Sequence, residues 1–137
     1  MKKTTKLCAL VLLVCLCLCA FTACIKTEDA KALASDFFAA VSAQDFEAAS
    51  ALLHPDRPAD LARFFADLGE AEDIDFSQGI EIKKYVGFAS SFYDTEVAGS
   101  SYKLTMRTSV GDKEITFSIL IADNEGGYGI YDIEYAI

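Results

Sequence analysis

Hydrophobic positions along the chain fall into three regimes. Leu7 to Phe21 are apolar without a break, after a basic start at Lys2, Lys3 and Lys6. From Glu28 to Gly69 apolar residues recur at three- and four-residue spacing, the period of helices with one buried face. From Ile80 to the end they alternate with polar residues, the period of strands buried on one side.

In the helical regime Leu33, Phe37 and Val41 recur every four residues beside Ala30, Ala34 and Phe38, which predicts a helix from Glu28 to about Ala43. Early Glu28 and Asp29 complement its N-terminal dipole. A break at Gln44-Asp45 makes Asp45 a candidate N-cap for a second helix reaching about Leu53. It would bury Phe46, Ala49 and Leu53, with Pro55 stopping it at His54. Pro58 suits the first turn of a third helix, where its missing N–H costs nothing. That helix would bury Leu61, Phe64, Phe65 and Leu68 and close at Gly69.

Glu70 to Gly79 shows no repeat and reads as an acidic connector. Then Ile80, Ile82, Lys84, Val86 and Phe88 alternate with Glu81, Lys83, Tyr85 and Gly87. Tyr102, Leu104, Met106, Thr108 and Val110 share one face of a second strand, and Gly111-Asp112 marks a hairpin turn. Ile115, Phe117, Ile119 and Ile121 share one face of a third. Asn124 to Gly127 make another turn, and Tyr131, Ile133, Tyr135 and Ile137 share one side of the last strand, opposite Asp132 and Glu134. Helices grouped ahead of a meander predict an α+β domain over residues 30–137, with helices packed on one antiparallel sheet of about four strands.

The apolar leader has a separate meaning. Fifteen residues at 1.5 Å each make about 22 Å of helix, short of the ~30 Å hydrocarbon core, so a secretory signal is expected over residues 1–23. Phe21-Thr22-Ala23-Cys24 resembles the lipobox of bacterial lipoprotein signal peptides, with Phe21 where Leu is usual. The resemblance implies cleavage before Cys24, acylation of that residue (palmitate included), and a short linker to Asp29. Two or more acyl chains would hold the domain on the extracytoplasmic face of the cell membrane, since one chain binds only marginally.

The domain also resembles a family. Phe37-Phe38-Ala39-Ala40-Val41, the segment Gln44-Asp45-Phe46-Glu47-Ala48-Ala49, and the ending Glu125-Gly126-Gly127-Tyr128-Gly129-Ile130-Tyr131-Asp132-Ile133 are similar to the nuclear transport factor two-like (cystatin-like cone) superfamily. The resemblance spans nearly all of residues 27–137, with Tyr128 where many members have Trp and Gly129 where they have a polar residue or Lys. It implies a curved sheet wrapped around helices and a cone-shaped cavity. Some members use that cavity for isomerase, dehydratase or cyclase chemistry, and others only bind ligands or partners, so the site must decide the activity.

Composition narrows the chemistry. All five cysteines lie between Cys8 and Cys24, so the domain has neither a disulfide framework nor a Cys-based zinc site. All 21 Asp and Glu, but only nine of the twelve Lys and Arg, lie beyond Cys24, giving that part a net charge of −12. Nucleic-acid binding by bulk positive charge is excluded. No phosphate-cradling loop, nucleophile elbow or His-Glu-x-x-His pair occurs, so no cofactor or metal is expected. Glu70, Glu72, Asp73 and Asp75 lack the calcium-loop order and read as a solvated acidic loop.

A cone enzyme would need a pocket carboxylate or His with a Tyr facing the developing oxyanion. His54 reads as a helix cap or surface residue, Asp132 and Glu134 as solvated strand positions, and Asp36 as a solvated helix position. The tyrosines Tyr85, Tyr102, Tyr131 and Tyr135 read as core or rim. Candidate pocket-lining residues are Phe38, Phe64, Tyr85, Met106, Phe117 and Tyr131. The expected function is non-catalytic binding of a small ligand or a neutral-to-basic protein partner by a lipid-anchored domain. The alternatives are an isomerase- or dehydratase-type enzyme, and an assembly module that forms a homodimer through outward-facing residues such as Leu120.

Overall fold

The computed structural model describes residues 26–137. The leader and Cys24, on which the anchoring expectation falls, lie outside the described residues. Helix α1 (26–42) buries Ala30, Ala34, Phe37, Phe38 and Val41 along one stripe. Two devices fix its end. Gln44 adopts φ 59° and its side-chain amide donates to the Val41 carbonyl at 3.0 Å. Ser42 Oγ donates to the Phe38 carbonyl and accepts the Ile80 N–H, both at 2.7 Å, which clips the helix to the start of the sheet.

Helix α2 (Phe46–Ser50) starts as expected, with Asp45 accepting from the Ala48 N–H at 3.0 Å, but ends before Leu53. The cause is tertiary. The Ile130 N–H donates to the Leu52 carbonyl at 3.0 Å and the His54 N–H donates to the Ile130 carbonyl at 2.8 Å, so this segment leaves the helix to pair in parallel with the last strand.

Helix α3 (Leu61–Glu72) begins later than Pro58 because Asp60 takes the N-cap, accepting from the Arg63 N–H at 3.1 Å. It also passes Gly69 and closes at Asp73, which adopts φ 53°. Gly69 is needed for packing instead, since the Ile74 carbonyl oxygen lies 2.6 Å from where a Cβ would stand. The acidic stretch is more ordered than expected. Ile74 and Phe76 are buried, and Asp75 caps a 3-10 turn over Phe76–Gln78.

Strands β1 (Glu81–Asp94), β2 (Gly99–Val110), β3 (Lys113–Asn124) and β4 (Gly127–Ala136) form an antiparallel meander in chain order, open and curved. β2 and β3 pair without irregularity through Gly111, whose φ of 59° favours glycine. Their alternation therefore falls as expected, with Leu104, Met106, Ile115, Phe117, Ile119 and Ile121 buried.

The outer strands depart from simple alternation. Irregularities between Ile82 and Lys84 and between Tyr85 and Gly87 reset the parity of β1. Ile82, Tyr85 and Phe88 oppose the inward Thr108, Met106 and Leu104, while Val86 is 45% exposed. In β4 one bulge puts Ile130 rather than Tyr131 opposite Ile121, and Ile130 is the buried residue.

The helices close one face of the sheet. The Phe117 ring lies 5.0 Å from Phe38 of α1 and 6.5 Å from Phe65 of α3, and Phe65 in turn meets Phe37 at 6.2 Å and Phe76 at 5.1 Å. Such tilted and edge-on pairs add to the area each ring removes from water. The opposite face carries Lys103, Thr105, Arg107, Ser118, Asp132 and Glu134, none of them buried.

Candidate functional site

Strand order sets β1 and β4 at opposite edges, yet the turn after β1 reaches a side chain in the middle of β4. The Tyr131 hydroxyl of β4 donates to the Glu96 carbonyl in the β1–β2 turn at 3.5 Å. Coiling of the sheet thus carries that turn toward the far edge, as the right-handed strand twist allows. The result is a cleft of about 300 Å³ on the open face, spanning all four strands.

Its lining comes from all four strands and from the turn after β1, whose last residues depart from simple alternation. Ser90, Ser91 and Asp94 come from β1, Glu96 from the turn, Ser101 and Lys103 from β2, Ser118 and Leu120 from β3, and Asp132 and Glu134 from β4. Asp94 is held in place, accepting from the Ser101 hydroxyl and the Glu96 N–H, both at 2.9 Å. Lys103 pairs with Glu134 at 2.8 Å across β3. Four carboxylates against one lining ammonium, with the Arg57 guanidinium close enough to act on Asp132 and Glu96, leave the cleft anionic, with Leu120 as an apolar patch in its wall. Asp132 and Glu134 are exposed as expected, but the face they occupy is concave rather than a plain solvated surface.

His54 differs most from expectation. It is fully buried rather than a surface residue or helix cap. Its Nδ1 accepts the Asp56 N–H at 3.1 Å, so the hydrogen sits on Nε2, which faces Asn124 Oδ1 at 2.9 Å and the Gly127 carbonyl at 3.1 Å. Asn124 also donates to the Val97 carbonyl at 2.7 Å and accepts from the Gly126 N–H at 2.8 Å. One His–Asn pair thus ties together the α2–α3 loop, the β1–β2 turn and the β3–β4 turn.

The six pocket candidates do not share one cavity. Phe38, Met106 and Phe117 are buried in the packed core between helices and sheet. Tyr85 is half-buried under the Lys31 ammonium, 5.2 Å from its ring, and burial raises the pKa of its hydroxyl against the opposing pull of Lys31. Phe64 and Tyr131 line a separate pocket of about 210 Å³ with Leu53, Leu61, Ile130 and Ile133. The Arg57 guanidinium lies 4.4 Å over the Tyr131 ring at its rim. Among the other tyrosines, Tyr102 stacks on Phe88 at 6.4 Å and Tyr135 is exposed, as is Asp36 on α1. Tyr128 has its pKa raised by burial first and then by the nearby Asp29 and Asp123.

No carboxylate is buried among the described residues; the buried polar side chains are His54, Ser101 and Thr108. Each is hydrogen-bonded, Thr108 to the Ile115 carbonyl at 3.0 Å. Fold and cleft together define an α+β domain that keeps its inner sheet face for packing and leaves a shaped acidic surface on the outer one. No protein-family model matches the chain, and neither a curated protein nor a solved structure matches it.

Proposed function

We propose that the chain is a lipid-anchored, extracytoplasmic binding domain of the nuclear transport factor two-like kind, which takes a cationic partner in the acidic cleft on the open face of its sheet. One observation carries the reading. Asp94, Glu96, Asp132 and Glu134 converge with the hydroxyls of Ser90, Ser91 and Ser101 on one concavity. Carboxylates held beside hydroxyls suit an ammonium or guanidinium group, which offers several donors at once. Leu120 gives its aliphatic stem an apolar surface.

The non-catalytic part of the reading is supported by where the carboxylates lie. An acid–base centre of the cone type relies on a carboxyl whose pKa is lifted by an apolar pocket, and the carboxylates here sit at solvent-reached positions. Assembly through the sheet is less favoured, because Leu120 is ringed by Lys103, Asp132 and Glu134 rather than by apolar neighbours.

The test is thermal unfolding of the chain with spermidine and with an oligolysine peptide as probes. A partner bound only by the folded state raises Tm in a saturable, concentration-dependent way. We expect that rise with at least one probe, weakened by salt and lost in the Asp132→Asn/Glu134→Gln double variant. An equal rise in the double variant, or none in the parent chain, would sink the proposal.

A further inference from the structure

We infer that the end of the sheet bearing Phe92, Tyr93 and Tyr128 sits in the membrane interface beside the anchored N-terminus, so that the domain stands on its lipid surface by an aromatic foot. This rests on the anchoring part of the proposed function. Phe92 is 99% exposed and Tyr93 is 71% exposed, at the tip of the longest strand. Isolated exposed apolar side chains are ordinary. What distinguishes these is their place relative to the point where the chain enters the domain.

That point is fixed by Lys26. Its ammonium lies 3.6 Å from Asp123 Oδ2 and 5.9 Å from the centre of the Tyr102 ring. Asp123 pairs with Ser100 on one side and with Tyr128 on the other. The Ser100 hydroxyl donates to the Phe92 carbonyl at 3.1 Å. Phe92, Ser100, Asp123 and Tyr128 therefore form one row across the sheet, with neighbouring strands about 4.8 Å apart. Cys24 is two residues before Lys26, and two residues span at most about 7 Å. The other end of the sheet, at Lys113, is about 33 Å away along β3. Any lipid on Cys24 thus enters the bilayer at the aromatic end.

The side chains there suit an interface. A Phe ring adds apolar area at the headgroup–acyl boundary, and Tyr rings keep their hydroxyls at headgroup level. Three rings are too few to bind a bilayer from solution. Once tethered, however, they meet it at the high effective concentration of an intramolecular contact. Asp29 in the first turn of α1, Asp94 at the end of β1, and Glu96 and Glu125 in the turns lie at this same end and are not buried, so the surface it fits is zwitterionic rather than anionic.

The sequence contains no Trp, so Phe92→Trp gives a single fluorescent reporter at a position too exposed to disturb folding. Lys113→Trp supplies the matching reporter at the far end. Each full-length variant, recovered from membranes with its own N-terminus, is placed in phosphatidylcholine vesicles carrying headgroup-proximal nitroxide. In the Phe92→Trp protein we expect blue-shifted emission quenched about twofold, with water-like, unquenched emission from the Lys113→Trp protein. Replacing part of the phosphatidylcholine with phosphatidylglycerol should reduce the quenching at low salt, and added salt should restore it. If the protein floats with the vesicles while the two reporters look alike, the aromatic foot is refuted and the anchor stands. Failure to float at all refutes the anchor and the foot together.

Discussion

A histidine with no exposed surface is stable only where both ring nitrogens find partners, because each unsatisfied buried polar group costs about 1–3 kcal/mol. His54 meets that demand with the Asp56 N–H on one side and Asn124 Oδ1 with the Gly127 carbonyl on the other. Replacing it by alanine strands those groups and opens a void between three loops. His54→Ala should lower unfolding stability by about 2–4 kcal/mol. Asn124→Ala should cost a comparable amount, and the double variant clearly less than the sum. Denaturant midpoints of the three proteins measure this; strictly additive losses would mean that the pair does not act as a unit. Nothing local in the sequence announces this residue. His54 sits before a proline like many helix-end histidines, and its partner Asn124 is 70 residues away in what reads as an ordinary turn.

Between residue and fold stand the elements, where regular pairing decided what the sequence could tell. β2 and β3 run in unbroken register through a two-residue turn, so their alternation of apolar and polar positions translates directly into inner and outer faces. β1 and β4 carry irregularities, each of which inverts the parity beyond it. That inversion turned Val86 outward and put Ile130 in the place expected for Tyr131. The shortened α2 has a similar origin, since helix propensity through Leu53 yields to pairing with β4.

Gly129 is the hinge of that pairing. A Cβ there would stand 2.6 Å from the His54 nitrogen and 2.7 Å from the Leu53 carbonyl carbon, and backbone cannot move aside as a flexible side chain can. Gly129→Ala should therefore cost about 2–3 kcal/mol, as other forced overpacking does. Gly87 offers the contrast, since its Cβ would meet only the Thr105 side chain, at 3.6 Å from Cβ and 3.7 Å from Oγ1. Gly87→Ala should be neutral or stabilising by up to about 1 kcal/mol, through lost freedom of the unfolded chain. Equal effects of the two substitutions on Tm would refute the close-approach account of Gly129.

For the molecule as a whole, the α+β class was legible because helical and strand periods occupy separate stretches of chain. The cleft was not. Many of its lining residues, such as Lys103, Ser118, Asp132 and Glu134, are outward strand positions, and an alternating polar residue reads the same whether its face is flat and solvated or curled into a concavity. The contact of Tyr131 with Glu96, across the strand order, is a feature that no alternation along the chain displays. Charge is the property that both levels share. With 21 Asp and Glu against nine Lys and Arg beyond Cys24, and ion pairs among the described residues such as Arg63–Asp67 and Lys83–Glu81 largely exposed, repulsion outweighs pairing. Exposed pairs contribute about 0–1 kcal/mol each, whereas like charges across the surface act together until screened. Thermal stability at neutral pH should therefore rise as salt goes from about 10 mM to 150 mM, where the screening length shrinks from about 30 Å to 8 Å. Over the same range a cationic partner should bind more weakly, because screening removes the attraction along with the repulsion. A Tm that instead fell with salt would mean that the ion pairs, Lys103–Glu134 in the cleft among them, hold the fold together more than the excess charge strains it.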